Sequence, residues 1–239
     1  MSYQDENPYQ SPSGAFAEMA AADDRSAFIT KTYIHLAGAL AAFVGIEALL
    51  LQLPIAEEML AFMVSSKFGW MIVLGAFMLV SYVAQNWALN AVNPATQYLG
   101  LGLYVVAEAV IFLPLLYIAQ RVDPSIITTA AVTTLALFAG LTAVVFITRN
   151  DFSFLRSVLI FGGFAALGLI LVSAIFSFSL GPIFTYAMIA FACCYILYGT
   201  SNVLHHYRIG QHVAAALALF ASVALLLWYI IQLFLSRRD

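Results

Sequence analysis

Seven apolar runs divide this chain of 239 residues, each near the ~20 residues an α-helix needs to cross a hydrocarbon core of about 30 Å at 1.5 Å per residue. They cover about 28–51, 68–89, 99–119, 125–148, 154–176, 182–201 and 213–235. Polar or helix-breaking residues mark their ends. Leu53-Pro54, Glu57 and Glu58 close the first; Lys67 precedes the second and Asn90, Asn93 and Pro94 follow it; Gln120-Arg121-Val122-Asp123-Pro124 separates the third from the fourth. Arg149-Asn150-Asp151 ends the fourth and Gly181-Pro182 opens the sixth. Backbone groups in hydrocarbon must be satisfied within the protein, and runs this long do not suit barrel strands of ~10 residues. The expected fold is all-α, an integral membrane protein of seven transmembrane helices with Pro114 kinking the third.

Composition supports the same solvent. The chain is 64% hydrophobic and 9% charged, against roughly 25% charged in an ordinary soluble domain, so the lipid bilayer must cover most of its exterior. A net charge of −3 without a Lys/Arg cluster excludes nucleic acid as a partner. Five of the twelve acids (Asp5, Glu6, Glu18, Asp23, Asp24) fall in residues 1–24, a polar stretch expected to be a disordered tail and lacking the layout of a signal peptide. Residues 25–239 form the seven-span domain. Seven spans place the termini on opposite sides. Five basic residues (Arg25, Lys31, Arg149, Arg156, Arg208) lie towards the N-terminal side and four (Lys67, Arg121, Arg237, Arg238) towards the other. This slight excess leans towards a cytoplasmic N-terminus in the inner (cytoplasmic) membrane. Small residues four apart, Gly38 with Ala42 and Gly162 with Ala166, suit close helix contact.

Ionisable side chains inside a bilayer are functional candidates by default. Three lie well within the runs: His35, Glu47 and Glu108. A carboxyl at the mid-depth of Glu108 must be neutral, paired or facing a water-filled cavity; it is read either as a proton sensor or as a protonated hydrogen-bonding link between helices. Glu47, about four residues from the end of its run, is expected to reach the interface. His35 is twelve residues from Glu47, about 18 Å along a helix, so the two cannot touch. Lys31 and Arg156 are near enough to helix ends to snorkel. His205, His206 and His212 are read as a solvated polar link, although histidine can respond to pH near neutrality. Cys193 and Cys194 lack His or acid at metal-ligand spacing and are read as small apolar residues. No nucleophile triad, Gly-rich phosphate loop or zinc-protease motif occurs, so no enzyme and no cofactor is expected.

RSAFITKTYIHLAGALAAFVGIEALL from Arg25, LGLGLYVVAEAVIFLPLLYIA from Leu99 and GLTAVVFITRNDFSFLRSVLIFGG from Gly140 resemble the bacterial branch of the Bax-inhibitor (TMBIM) family. YILYGTSNVL and AALALFASVALLLWYIIQLFL resemble its last two spans, and Thr148-Arg149-Asn150-Asp151-Phe152-Ser153 is the most specific element. The resemblance implies a bundle with the last helix central and a pH-sensitive calcium leak. In members with that activity two aspartates on the sixth and seventh spans share a proton, because two close carboxyls cannot both ionise cheaply. The matching positions here are Gly199, in Tyr198-Gly199-Thr200, and Ser222, in Leu219-Phe220-Ala221-Ser222. Both acids are missing, and no Lys or Arg lies between Phe68 and Leu89, where some members carry a basic partner. The acid pair is absent as a unit. Glu108 and Glu47 are then the carboxyls left to sense protons or guide an ion, with Gln85, Asn86 and Ser222 as neutral groups. Calcium is expected as the transported ion. The alternative is a non-conducting regulator of a membrane-anchored AAA protease or another membrane partner; a permease-like carrier is a third reading.

Overall fold

The computed structural model describes residues 14–65, 68–90 and 93–238; Lys67, Asp5, Glu6 and the rest of residues 1–13 lie outside the described residues. The described chain forms α1 (Ala22–Leu50), α2 (Ile55–Ser65), α3 (Gly69–Ala88), α4 (Pro94–Val122), α5 (Ser125–Thr148), α6 (Leu155–Phe176), α7 (Gly181–His205) and α8 (His212–Leu235). All except α2 are long and apolar enough to cross a membrane. The fold is the expected all-α membrane architecture.

The helix α8 is apolar on every side, from Val213 through Ala214, Ala215, Ala216 and Leu217 to Leu226, Ile230 and Ile231, all buried. A helix without a polar face belongs inside a bundle. Accordingly α1, α3, α4, α5 and α7 pack around it, while α6 leans on α7. The helix α4 is the second interior element, with Tyr104, Val105, Ala109, Phe112 and Leu116 buried. The tightest approach is between α3 and α4. A Cβ on Gly100 would lie 2.5 Å from the Ala84 carbonyl oxygen and 2.6 Å from the Ala88 nitrogen, so only glycine lets the backbones meet there. Gly38 faces open space instead, whereas a Cβ on Gly162 would meet the Phe191 ring at 2.7 Å.

Several boundaries differ from the hydropathy reading. The helix α1 starts six residues before Phe28, because Asp23 and Asp24 suit a helix N-terminus and the hydropathy threshold does not register them. Helix α4 starts at Pro94, with the Asn93 side chain accepting from the Ala95 amide at 2.9 Å and Pro94 in the first turn. It remains one helix through Pro114. The segment read as an end marker, with Glu57 and Glu58, is itself helical as α2; eleven residues cannot span, and it packs on α3 and α4. Its Glu57 accepts from the Tyr117 hydroxyl at 3.3 Å and lies 4.0 Å from Arg121.

Within the expected tail, residues 14–24 take up structure. Ala17–Met19 form a short 3-10 helix with Ala17 fully buried, and Phe16 bridges to Arg208. The Ala17 amide donates to the Tyr207 carbonyl at 2.8 Å, and the Ile209 amide donates to Ala15 at 2.9 Å. The Arg208 guanidinium sits 5.1 Å from the Phe16 ring centre. This strap holds the α7–α8 link. At the opposite face Arg238, beyond α8, pairs with Asp123 in the α4–α5 turn.

Candidate functional site

Five helices surround α8, yet one stripe of it, from Ala214 through Ala218, Ala221 and Leu225 to Gln232, faces a cavity of about 1070 Å³ rather than a neighbour. The cavity follows α7 from Asn202 to Gly181, about 30 Å at helical rise, which matches the bilayer core. Its other walls are α3, α4 and the inner face of α6.

Glu108 lies fourteen residues into α4, about 21 Å from its start, and is 6% exposed. It lines the cavity together with Tyr104, one turn earlier on the same face. Tyr104 stands beside the Glu108 carboxyl, and its ring meets Phe77 on α3 and Phe220 on α8, each with ring centres 6.1 Å apart. Among the described residues Glu108 is the cavity's only carboxylate.

Gly199 and Ser222 line the same cavity. A Cβ built on Gly199 would stand 3.8 Å from the Ser222 Oγ and 3.3 Å from Leu219 Cδ2. The two positions therefore face each other across the α7–α8 contact. Ser222 donates its hydroxyl to the Ala218 carbonyl at 2.8 Å, a bond within its own helix, so neither position carries a charge or ties the two helices together.

Glu47 does not reach the interface. It is 4% exposed and neither carboxyl oxygen has a hydrogen-bond partner among the described residues, because it falls on the inner face of α1 with Phe43 and Ala39. It is not among the residues lining the cavity. Gln85 lines it, but Asn86 turns away and donates to the Tyr82 carbonyl at 2.8 Å.

A polar knot closes the N-terminal face of the bundle. Arg149 ends α5 in the left-handed region at φ 50°, turning the chain sharply. Asp151 then accepts from the Ser153 amide at 2.9 Å, from the Ser201 hydroxyl at 3.3 Å and from His206 at 3.1 Å. The Phe152 amide donates to the Ser201 Oγ at 2.9 Å, and Ser201 is fully buried on α7. Burial pushes the Asp151 carboxyl up, but the Ser153 amide and His206 outweigh it and hold the group below the usual carboxylate range. His206 is thus anchored rather than free in a solvated link. His35 and His212 also meet, with ring centres 4.9 Å apart, and His35 lies 3.2 Å from the Tyr98 hydroxyl. No group of three metal-ligating side chains occurs among the described residues.

Over residues 25–239 the chain matches the family model for the inhibitor of apoptosis-promoting Bax1. The chain belongs to this Bax-inhibitor family. A relative in Pseudomonas aeruginosa, an uncharacterized protein, is 30% identical over 159 residues, covering 66% of this chain and 68% of its own. No solved structure matches the chain. The family match takes in the Asp151 knot, the cavity, Gly199 and Ser222.

Sequence reasoning identified Glu108, Gly199 and Ser222 without their shared cavity. It missed Ser201, which follows directly on Tyr198-Gly199-Thr200, and Tyr104. The separation of four residues between Tyr104 and Glu108 was a signal for the latter.

Proposed function

We propose that this Bax-inhibitor family member is a cation leak pathway for calcium, with Glu108 as its sensing and guiding carboxylate in place of the absent aspartate pair. The observation that carries this reading is that Glu108 lines the same membrane-length cavity as Gly199 and Ser222. Calcium prefers oxygen ligands with carboxylate charge, and the cavity supplies one charge with Tyr104, Gln85, Asn202 and Ser222 as neutral partners. Gating then follows protonation: neutral Glu108 leaves an ion no charge to approach, and charged Glu108 draws it in. A divalent ion about 4 Å from a carboxylate in a wet cavity gains roughly 2 kcal/mol even at the dielectric of water, equivalent to about thirty-fold in occupancy.

A second reading, a non-conducting regulator of a membrane partner, draws on the apolar belt of the cavity's far half. There Trp228 stacks on Trp70 at 5.7 Å and meets the Phe112 edge at 5.1 Å, surroundings unfavourable to a hydrated cation. Purified protein in liposomes with a trapped calcium indicator separates the two. Conduction through Glu108 requires flux from the native chain that falls at least tenfold in Glu108→Gln and loses its dependence on pH between about 6 and 8. Equal flux from both chains across that range removes Glu108 from the pathway, and no native flux favours the regulator.

A further inference from the structure

The cavity has a polar annex at the N-terminal face. A second pocket, about 370 Å³, shares Tyr198, Asn202 and Tyr207 with the large cavity and adds Ser153, Arg156, His206 and Gln211. Arg156 stands at the second position of α6 and is exposed at the membrane boundary. The nearest acid in the sequence, Asp151, is engaged by Ser153, Ser201 and His206. No carboxylate pairs with Arg156 among the described residues. The annex therefore presents a guanidinium and two carboxamides to whatever enters, beside a His206 whose Nε2 is held by Asp151.

The space below the annex is of the opposite character. Helix α6 leans on α7, and its residues Gly163, Ala166, Leu167 and Ile170 line the cavity. Across from them stand Leu74 and Phe77 on α3, with Leu225 of α8 as the floor. Water gains little from such walls, and hydrocarbon loses nothing by leaving the bilayer for them.

A cationic, hydrogen-bonding pocket opening directly into an apolar cleft of bilayer depth has the polarity of an amphiphile. We propose that an anionic phospholipid binds here, its headgroup phosphate on the Arg156 guanidinium beside the Asn202 and Gln211 carboxamides, and one acyl chain in the cleft between α3 and α6. Guanidinium and phosphate form paired, charge-assisted hydrogen bonds, and basic pockets between membrane helices suit anionic headgroups. A zwitterionic lipid would bring a second cation towards Arg156, and free phosphate would have no use for the cleft. This inference goes beyond the leak reading and does not depend on it.

Tryptophan supplies the assay. Trp70 and Trp228 line the cavity, while the third tryptophan, Trp87, is exposed on α3. The full chain carrying Trp87→Phe is titrated in neutral detergent with phosphatidylglycerol or phosphatidylcholine bearing brominated chains, which quench indole on contact. Phosphatidylglycerol should quench saturably at concentrations about tenfold or more below phosphatidylcholine. Arg156→Ala should erase most of that difference, as expected for loss of a charge-assisted pair. Ala166→Phe, which fills the cleft and leaves the annex intact, should reduce the maximal quenching. Inorganic phosphate at millimolar concentration should not compete. Equal quenching by the two lipids, an unchanged titration in Arg156→Ala, or displacement by inorganic phosphate would each overturn the proposal. A chain that binds phosphatidylglycerol in this way but passes no calcium retains the lipid site and loses the leak.

Discussion

Placing acids at both positions, Gly199→Asp with Ser222→Asp, tests whether a carboxyl pair across the α7–α8 contact forms a gate. A Cβ at 199 meets Leu219 Cδ2 at 3.3 Å, a contact that the end of a flexible side chain relieves by moving a few tenths of an ångström. The steric cost is about 1 kcal/mol, at the low end for overpacking. The same Cβ stands 3.8 Å from the Ser222 Oγ, so two carboxyl groups there would lie within roughly 5 Å of each other. Two full charges at that distance repel by about 3 kcal/mol at an effective dielectric of 20, a penalty of order a hundredfold against the doubly charged pair. A proton or a calcium ion between them removes that penalty, so the pair and not either residue alone creates the site. In liposomes with a trapped calcium indicator, the double variant should exceed native flux at least tenfold, and each single variant should change it by less than about threefold. The reasoning fails if a double variant with native helix content and native elution leaks no more than the parent.

Gly100→Ala should destabilise the bundle by about 1–3 kcal/mol in detergent unfolding, because the α3 backbone has to retreat from Ala84 and Ala88; Gly38→Ala, in open space, should be neutral. Asp151→Asn should loosen the knot at the N-terminal face by about 1 kcal/mol, after allowance for solvent screening of its exposed carboxyl, and should raise amide exchange at Phe152 and Ser153. Since the folded Asp151 carboxyl lies below its ordinary value of 3.8, its contribution is complete above that pH and is lost only as the pH falls through the lower folded value. A melting temperature that depends on Asp151 titration between about pH 6 and 8 would contradict this sign. Phe16→Ala should speed tryptic cleavage at Arg208 by roughly two- to fivefold, the opening expected for an exposed cation–π contact worth about 0.5–1 kcal/mol.

The seven spans were legible because length and hydropathy are properties of consecutive residues, and a bilayer allows few alternatives. Helix α2 was not, since eleven residues with Glu57 and Glu58 in the first turn are too short for a span and too apolar for a loop. Glu108 announced itself as a carboxyl at mid-depth. Glu47 misled, because distance from a helix end says how far a side chain could reach and not which way its helix faces. The knot was half visible: Arg149 to Ser153 stood out as a motif, while its partners Ser201 and His206 lie 50 and 55 residues from Asp151 and nothing local marks them. The cavity had no trace in the sequence, since it is a gap lined by residues of α3, α4, α6, α7 and α8, and a gap between helices leaves no pattern in any of them.

The position of α8 has a consequence for how the molecule is made. It follows α1 to α7 in the chain, yet five of the other helices are arranged around it. During synthesis those helices enter the bilayer before their common centre exists, and the faces bearing Thr32, Glu47 and Thr134 have only lipid or one another to meet. The packing of α1, α3, α4, α5 and α7 around a common centre therefore waits for α8. A ribosome that stops before His212 releases a chain whose inward polar groups remain turned towards hydrocarbon, so α8 itself distinguishes a packed bundle from an open one.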